Sequence, residues 1–435
     1  MYTKIYSPKI FIPIFFVTLF FLSFQIKTPG EEAIRTFHYT GISILFLFFL
    51  LSGIRFLKNL FVSSLESNRI IVFLVLLYGW MLLKTYGMSV RSLKDFIIGA
   101  SVDWGLFIVL LSFTNTQRIA NWKSIERLIK LLYFFVLISS LLAWLMYFGF
   151  EFFNVGHNSR WGIRLHGLLG EPSHFSALVG LGILLNLYLF VRHSSHMAAA
   201  AYLISSSFLM ATLFASGSRN GIVSFTVGFF FPLFATGRIL RKLLTGLFIT
   251  LLGGWAFYTF CIHLPSMLET NIFLSGPTLN LSSPTSSDVL IEQLRLRDIN
   301  AYIRYQIWAE VVKFYVSVDF FALLFGSGNG SLRVIYGAAF NYYLESVVNF
   351  GIFWLTSLMM FVYYIYCHLL RITRIRLDSR SIHAFLALSL LTYSLSFAFF
   401  LSSLFTTFFH FANFTLTCAL VLTVRLTDLS IKQQP

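Results

Sequence analysis

The sequence has few charged residues, and this shortage restricts what the protein can be. Of its 435 residues, 11% are charged and 17 are acidic, whereas 57% are hydrophobic and 52 are phenylalanine. An ordinary soluble domain has about a quarter of its residues charged, so this composition excludes one. Water therefore cannot be the main solvent of the chain, and the alternative is the hydrocarbon core of a bilayer.

Cysteine is also scarce, and its placement excludes a disulfide scaffold. The three cysteines, Cys261, Cys367 and Cys418, lie in or beside apolar runs, and no Cys-x-x-Cys pair occurs. Disulfide frameworks and zinc sites need several cysteines at suitable spacing. We interpret the three as small buried hydrophobic residues, and the sequence predicts neither a metal site nor a cofactor.

Apolar runs long enough to cross a bilayer recur along the whole chain. They predict an all-α, polytopic membrane helical bundle of about 12 transmembrane helices, with residues 1–435 forming a single integral membrane domain. The predicted spans are 10–26, 37–54, 70–86, 96–114, 128–150, 173–191, 198–216, 220–236, 244–262, 340–366, 383–402 and 406–424.

Basic residues outnumber acidic ones, giving a net charge of +15. In a soluble protein this excess would suggest nucleic acid as a partner. Here the basic residues lie between apolar runs, so we predict contact with membrane lipids and no nucleic acid. With the N-terminus inside, the larger share of Lys and Arg falls on the inner side. Both termini are therefore predicted to be cytoplasmic.

Two connections on the outer side are much longer than the others. They are residues 151–172 and residues 263–339, and the second contains a predicted amphipathic helix, IEQLRLRDINAYIRYQIWAEVVKFY. Long loops between rigid spans often carry the residues that act on external substrates. Neither loop has an Asp-x-Asp or paired carboxylates, so any reaction there is predicted to be metal-independent.

The first candidate site is the segment RWGIRLHGLLGEPSH, where the chain re-enters the membrane. It carries Arg160, Arg164, Glu171 and His174. Ionisable residues at such a place are usually retained because they pair with one another or bind a ligand. We therefore predict a polar substrate site, and the alternative is that Glu171 pairs with Arg164 and only holds the loop.

The second candidate is ASGSRNG, residues 215–221, which places Arg219 in a tight break between two apolar spans. Small residues expose backbone N–H groups beside a guanidinium, a combination that suits phosphate oxygens. The alternative is a hairpin turn whose arginine extends to the lipid headgroups.

The third candidate, Arg304, lies on the predicted amphipathic helix with Tyr305 and Trp308. Tyr and Trp are favoured at the membrane surface, where an arginine can reach phosphates. Interfacial anchoring alone is the alternative for Arg304.

The fourth candidate combines the turn FGSGNGS with the start of the next span. Asn341, Glu345 and Asn349 are spaced four residues apart and so share one helix face. A polar face on a membrane helix normally points to the bundle interior or to a hydrated cavity. Packing between helices is the alternative to a role in the site.

In this order, the four segments resemble the bacterial O-antigen polymerase and O-antigen ligase superfamily, over about residues 128–370. The motifs are RxxGLLGEPSHFSAL (164–178), SGSRNG (216–221), RYQIW (304–308) and GSGNGS followed by NYYLESVVNFGI (341–352). The resemblance implies a metal-independent membrane glycosyltransferase of polysaccharide and lipopolysaccharide biosynthesis in the bacterial inner membrane. Its two long outside segments would be periplasmic loops.

The implied reaction polymerises undecaprenyl-diphosphate-linked oligosaccharide repeat units into an O-antigen or related glycan at the periplasmic face. A chain-length regulator and a flippase of the same pathway are implied as partners. Roles are assigned as follows: diphosphate binding by Arg164, Arg219 and Arg304; sugar or phosphate binding by Arg160; sugar contacts by Asn341 and Tyr342; general base by Glu171 first, with His174 and Glu345 as further candidates.

One departure favours a polymerase over a ligase. Ligase-like members usually have a histidine directly before the Asn-x-x-Leu motif, and this chain has Phe340 there. The alternative functions are an O-antigen ligase that transfers glycan to a lipid A-core acceptor, and a transporter or flippase of a lipid-linked substrate. A third is an assembly partner without catalysis.

Overall fold

The computed structural model describes most of the chain between residues 122 and 400. The described residues are 72, 73, 76, 80, 122–148, 165, 167, 172–193, 195–233, 240–269, 306–327, 342–375 and 379–400. Within these residues nearly every position is helical and there is no strand. The predicted all-α fold is therefore confirmed for this part of the chain. The predicted spans 10–26, 37–54, 96–114 and 406–424 lie outside it.

Between residues 122 and 400 the described part of the chain forms ten helices, which we number in chain order. They are α1 Trp122–Tyr147, α2 Pro172–Arg192, α3 His196–Ala215, α4 Arg219–Leu233, α5 Leu240–Glu269, α6 306–317, α7 Phe320–Phe325, α8 Tyr342–Phe350, α9 Ile352–Ile375 and α10 Ser379–Phe400. Five of them, α1, α2, α3, α5 and α9, are long and apolar enough to cross a membrane, and α10 has a shorter apolar stretch. A membrane-embedded helical protein follows from these lengths and compositions.

The predicted span 340–366 is wrong as a single helix. The structure divides it into α8 and α9 at Gly351, which has a φ of +89°. The break places position 351 directly against α7, where a Cβ would lie 2.1 Å from the carbonyl oxygen of Leu324. Only glycine adopts this backbone conformation at little cost. The predicted spans 128–150, 173–191, 198–216, 220–236, 244–262 and 383–402 each correspond to one helix.

Helix α2 is the centre of the bundle and is buried along nearly its whole length. It packs against α1, α3, α4, α5 and α10. Small residues on different faces of α2 allow these neighbouring helices to approach it closely. Gly180 meets the ring of Tyr393 on α10, and Gly182 meets Val136 on α1.

Tyr393 of α10 connects three helices at one point. Its ring fills the space left by Gly180 on α2 and Gly228 on α4. Its hydroxyl donates a hydrogen bond of 2.8 Å to the carbonyl oxygen of Ala177 on α2. The side chain is fully buried, so this contact holds α10 against the second turn of α2.

Candidate functional site

Two segments that the sequence analysis selected separately meet in the fold. The N–H of Leu165 donates a hydrogen bond of 3.2 Å to the carbonyl oxygen of Ala215, at the end of α3. One turn into α2, Ser176 lies so close to Gly221 of α4 that a Cβ on Gly221 would be 2.5 Å from its Oγ. The re-entry segment and the SGSRNG segment therefore lie side by side. We call this side of the bundle, marked by the first turns of α2 and α4, the motif end.

The geometry of the motif end favours an anion. The first turns of two helices carry N–H groups without helical acceptors and the positive ends of two helix dipoles. Ser218 lies just before α4, and its Oγ accepts from the N–H of Gly221 at 3.4 Å. Arg219, the first residue of α4, is exposed. Backbone N–H groups and a free guanidinium are a combination that binds phosphate or carboxylate oxygens.

The turn FGSGNGS and the helix that follows it also meet directly. The N–H of Ser327 donates to the carbonyl oxygen of Val348 at 2.7 Å. Gly326, with a φ of +82°, lies against the backbone of Asn349 and Phe350, and a Cβ there would collide with both. The fourth motif is therefore one structural unit, in which the turn lies on the C-terminal end of α8.

Helix α8 is connected to the motif end through α10. The hydroxyl of Tyr343 on α8 donates to the carbonyl oxygen of Leu395 at 2.7 Å. Two residues before Leu395, Tyr393 bonds to Ala177 in the second turn of α2. The helix that carries Glu345 thus lies on the same α10 segment that holds the start of α2.

The structure describes the nine predicted site residues unequally. Arg219 is described in full and lies at the motif end. For His174, Tyr342 and Glu345 the structure describes only the helical backbone, in the first turn of α2 and in α8. The other five lie outside the described residues: Arg160, Arg164, Glu171, Arg304 and Asn341. Asn349, the third residue of the predicted polar face of α8, is buried.

Sequence analysis missed an ionic cluster at the other side of the bundle, which we call the basic end. Glu126 of α1 accepts from Lys130 and from Arg192 at the end of α2, both at 3.0 Å. Arg192 also donates to the hydroxyl of Tyr188 at 2.9 Å and to Nε2 of the buried His383 at 2.7 Å. The sequence signal was a lone glutamate among basic residues, but its partner Arg192 is 66 residues away.

A lysine completes the basic end by capping α2. The ammonium of Lys242 on α5 donates to the carbonyl oxygens of Val191 and His193, at 3.0 and 3.3 Å. These are carbonyl groups without helical donors, and a cation there also meets the negative end of the dipole. Because α2 has 21 residues, the cluster lies about 30 Å from the first turn of α2. It therefore stabilises the fold without contacting the motif end.

Two groups of the basic end have altered pKa values. Burial alone would raise the pKa of Glu126, but the hydrogen bond from Lys130 and the charge of Arg192 outweigh it and lower the pKa below its ordinary value. Burial, together with the charge of Lys130, lowers the pKa of His193. Glu126 therefore stabilises the fold above its unfolded-state pKa, and this stabilisation is lost as the pH falls through the folded-state value. Folding also favours the neutral form of His193. Lowering the pH below the unfolded-state pKa of this histidine therefore destabilises the fold as well.

Replacing Glu126 with glutamine is expected to destabilise the protein by about 1.5–3 kcal/mol, because charge-assisted hydrogen bonds from Lys130 and Arg192 are lost. At pH values below the ordinary pKa of glutamate, the stability of this variant should also depend less on pH than that of the wild type. Unfolding temperatures measured in detergent over a pH series test both expectations.

The matched control for this prediction is Glu310→Gln, which removes an exposed i,i+3 pair with Lys313 on α6. A pair of this kind contributes about 0–1 kcal/mol. Equal losses in the two variants would contradict the assignment of the Glu126 cluster as a structural clamp.

Among the described residues, no group of three or more His, Cys, Asp and Glu side chains could hold a metal ion. The metal-independent reaction therefore stays a prediction. The chemical groups described at the motif end are N–H donors, hydroxyl groups and a guanidinium, which are suited to binding an anion rather than a cation.

The fold defines the class of protein: a membrane-embedded helical protein whose described helices pack around one central helix, α2. No protein-family model matches the chain, and no curated protein matches it. Any functional assignment therefore depends on the residues and their geometry.

Proposed function

We propose that the chain polymerises undecaprenyl-diphosphate-linked oligosaccharide repeat units into a surface polysaccharide, by glycosyl transfer at the periplasmic face of a bacterial inner membrane. One observation carries the proposal. The motif-bearing first turns of α2 and α4 touch through Ser176 and Gly221, and α10 connects them to α8. Segments far apart in the sequence are thus close to one another at one end of the bundle.

The distribution of basic residues supports a periplasmic site. In the described helices, most Lys and Arg lie on segments at the basic end: Lys123, Arg127, Lys130, Arg192, Arg241, Lys242, Arg371, Arg374 and Arg380. At the motif end the first turns of α2 and α4 contain Arg219. By the positive-inside rule the basic end is cytoplasmic. The motif end then faces the periplasm, where lipid-linked repeat units are joined.

In the proposed reaction, a sugar hydroxyl of the incoming unit attacks the anomeric carbon of the growing glycan. The bond between that carbon and the diphosphate oxygen breaks, and undecaprenyl diphosphate leaves with the electron pair. The main requirement is to stabilise negative charge on the leaving group. Arg219 and the N–H groups beside it supply this, and we assign Arg164 and Arg304 to the same diphosphate.

A general base must remove the proton of the attacking hydroxyl. Glu171 is our first candidate because it directly precedes Pro172, the first residue of α2. His174, in the first turn of α2, and Glu345, on α8, are the others. Arg160 is assigned to sugar or phosphate.

Asn341 and Tyr342 are assigned to sugar contacts at the start of α8. The sequence places them directly before and at the first residue of that helix. Their assignment depends on the connection of α8 to α10, which brings the helix toward the first turns of α2.

Replacing Arg219 with alanine is expected to reduce polymerisation about 10²-fold, the usual effect of removing one donor that stabilises developing negative charge. Lysine should restore part of the activity, because it keeps the charge but not the bidentate geometry. The measurement is a gel of surface glycan from cells that lack the protein and express each variant.

Arg371→Ala is the matched control, since Arg371 is an exposed arginine on α9 at the basic end. It should leave the ladder of long glycan chains unchanged. Immunoblots of membranes must show equal amounts of all variants. A normal ladder in Arg219→Ala cells would remove Arg219 from the site.

The same gel distinguishes the proposed polymerase from the alternatives, with Arg164→Ala and Glu171→Ala included. Loss of the long ladder, with a single repeat unit still on its final acceptor, is the polymerase result. Loss of every attached unit, with lipid-linked glycan accumulating, is the ligase result. An unchanged ladder in cells that lack the protein would contradict both and favour a carrier.

A further inference from the structure

Helices α6 and α7 form a hairpin with an apolar surface that the described protein does not cover. Val316 on α6 is 73% exposed, and Phe320 and Phe321 on α7 are 68% and 73% exposed. Asp319 lies between the helices and caps α7 by accepting from the N–H of Ala322 at 2.9 Å. The exposed side chains therefore lie on ordered helical turns.

The opposite face of α6 fixes the hairpin to the bundle. Val311 packs against Val348 of α8, with further apolar side chains around both. The hydroxyl of Tyr315 donates to the carbonyl oxygen of Leu323 on α7 at 2.8 Å. The hairpin is thus held on α8 by one apolar face, and a second apolar face remains exposed.

The exposed surface of α6 is divided into two stripes. Val312 and Val316, four residues apart, form the apolar stripe. The polar stripe comprises Gln306, Glu310, Lys313 and Ser317, spaced three or four residues apart. Residues at these spacings share a helix face. A helix with adjacent apolar and charged stripes is typical of one lying in the plane of a membrane surface.

The depth of the hairpin follows from its contact with α9. The backbone of Leu324 touches Gly351, which directly precedes Ile352, the first residue of the α9 span. The ring of Phe325 stacks on that of Phe353, with centroids 6.2 Å apart. Phe353 is itself 62% exposed on the outside of a membrane-spanning helix. The apolar surface of the hairpin is therefore continuous with the lipid-facing surface of α9.

We propose that Val316, Phe320 and Phe321 insert into the bilayer at the motif end and anchor the α6–α7 hairpin in the interface. Lipid is the occupant because the surface continues that of a span and starts at its first residue. A second protein fits less well, since three side chains offer far less than the roughly 800 Å² per partner of a stable interface. The anchor would hold the turn at Gly326, and hence α8, at a fixed depth.

Site-directed spin labelling of the full chain in lipid nanodiscs tests this proposal, which is independent of the proposed function. Single cysteines are introduced at Val316, Phe320 and Phe321, after Cys261, Cys367 and Cys418 have been replaced by alanine. The rate at which each nitroxide collides with oxygen, which concentrates in lipid, is then measured. The rate of its collisions with a water-soluble nickel chelate is measured in the same way. Phe353→Cys is the lipid-facing control, and Gln306→Cys on the polar stripe is the water-facing control.

We expect labels at the three positions to match Phe353→Cys, with oxygen collisions dominant, and Gln306→Cys to show the reverse. Dominant nickel collisions at Phe320 and Phe321 would place the hairpin in water and overturn the proposal. Low values for both reagents would mean that protein covers the surface, and this would overturn it as well. Each labelled protein must elute as the unlabelled parent does, which shows that it is folded.

Discussion

Replacing Tyr393 with alanine is expected to lower the free energy of unfolding by about 3–5 kcal/mol, the range for removing a large aromatic side chain from a core. The ring fills the space left by Gly180 and Gly228, so its loss leaves a cavity between α2, α4 and α10. The structure around these glycines cannot easily collapse, because helix backbones form its walls. Unfolding by sodium dodecyl sulfate in mixed micelles measures the difference.

Tyr393→Phe is the matched control because it keeps the ring and removes only the hydroxyl. It loses the hydrogen bond to the carbonyl oxygen of Ala177 and should cost about 0.5–1.5 kcal/mol. If the Tyr393→Phe and Tyr393→Ala variants are destabilised equally, the hydrogen bond and not the packing of the ring holds the helices together.

The expected effect of Tyr393→Ala extends to function. Ala177 is three residues after His174, and Gly228 is on the helix that begins at Arg219. A shift of α10 would therefore move the first turns of α2 and α4 relative to each other. From the proposed function, we expect less glycan polymer from this variant than its amount in the membrane would explain, and Tyr393→Phe should retain the wild-type amount of polymer.

Replacing Gly351 with alanine is expected to prevent the correct connection of α8 to α9. A Cβ at this position would lie 2.1 Å from the carbonyl oxygen of Leu324 and 2.6 Å from the backbone nitrogen of Gly326. These are backbone atoms, so no side-chain rotation relieves the collision. Positive φ costs a non-glycine residue about 1–3 kcal/mol, and overpacking adds about 1–3 kcal/mol. The measurement is the unfolding midpoint together with the yield of folded protein in detergent.

Ser327→Ala controls for the Gly351 variant within the same turn. It keeps the bond from the backbone N–H of residue 327 to the carbonyl oxygen of Val348, because that bond does not involve the side chain. Its stability should be within about 0.5 kcal/mol of wild type. A Gly351→Ala protein as stable as the Ser327→Ala protein would contradict the close backbone contact between α7 and α9.

The local pattern of the sequence predicted most helices of the described part. The spans 173–191 and 198–216 agree with α2 and α3 within one or two residues, because each apolar run has the length of a span and ends at Arg192 or Ser216. The span 340–366 failed for the opposite reason. Its apolar character continues through Gly351, and the close neighbour of Gly351 in the structure, Leu324, lies outside that segment.

The candidate site could be predicted only as separate segments. The sequence selected Arg219 and the re-entry segment for their chemistry, but it contained no signal that Ser176 and Gly221 would touch. Tyr393 was missed because no charged residue lies near it in the sequence, and its partner Ala177 is 216 residues away. Hydrogen bonds between distant helices leave no local pattern.

Composition and the length of the apolar runs are enough to predict a helical protein embedded in a membrane, since both depend only on which residues follow one another. Only the tertiary structure shows which helix ends meet. The first turns of α2 and α4 meet at the motif end, and Glu126 meets Arg192 at the basic end. The turn at Gly326 lies on the end of α8. The physical reason is that many packings are possible for helices of similar apolarity. Contacts between a glycine and a large side chain, or between two polar groups, favour one packing, and the two partners lie on different segments.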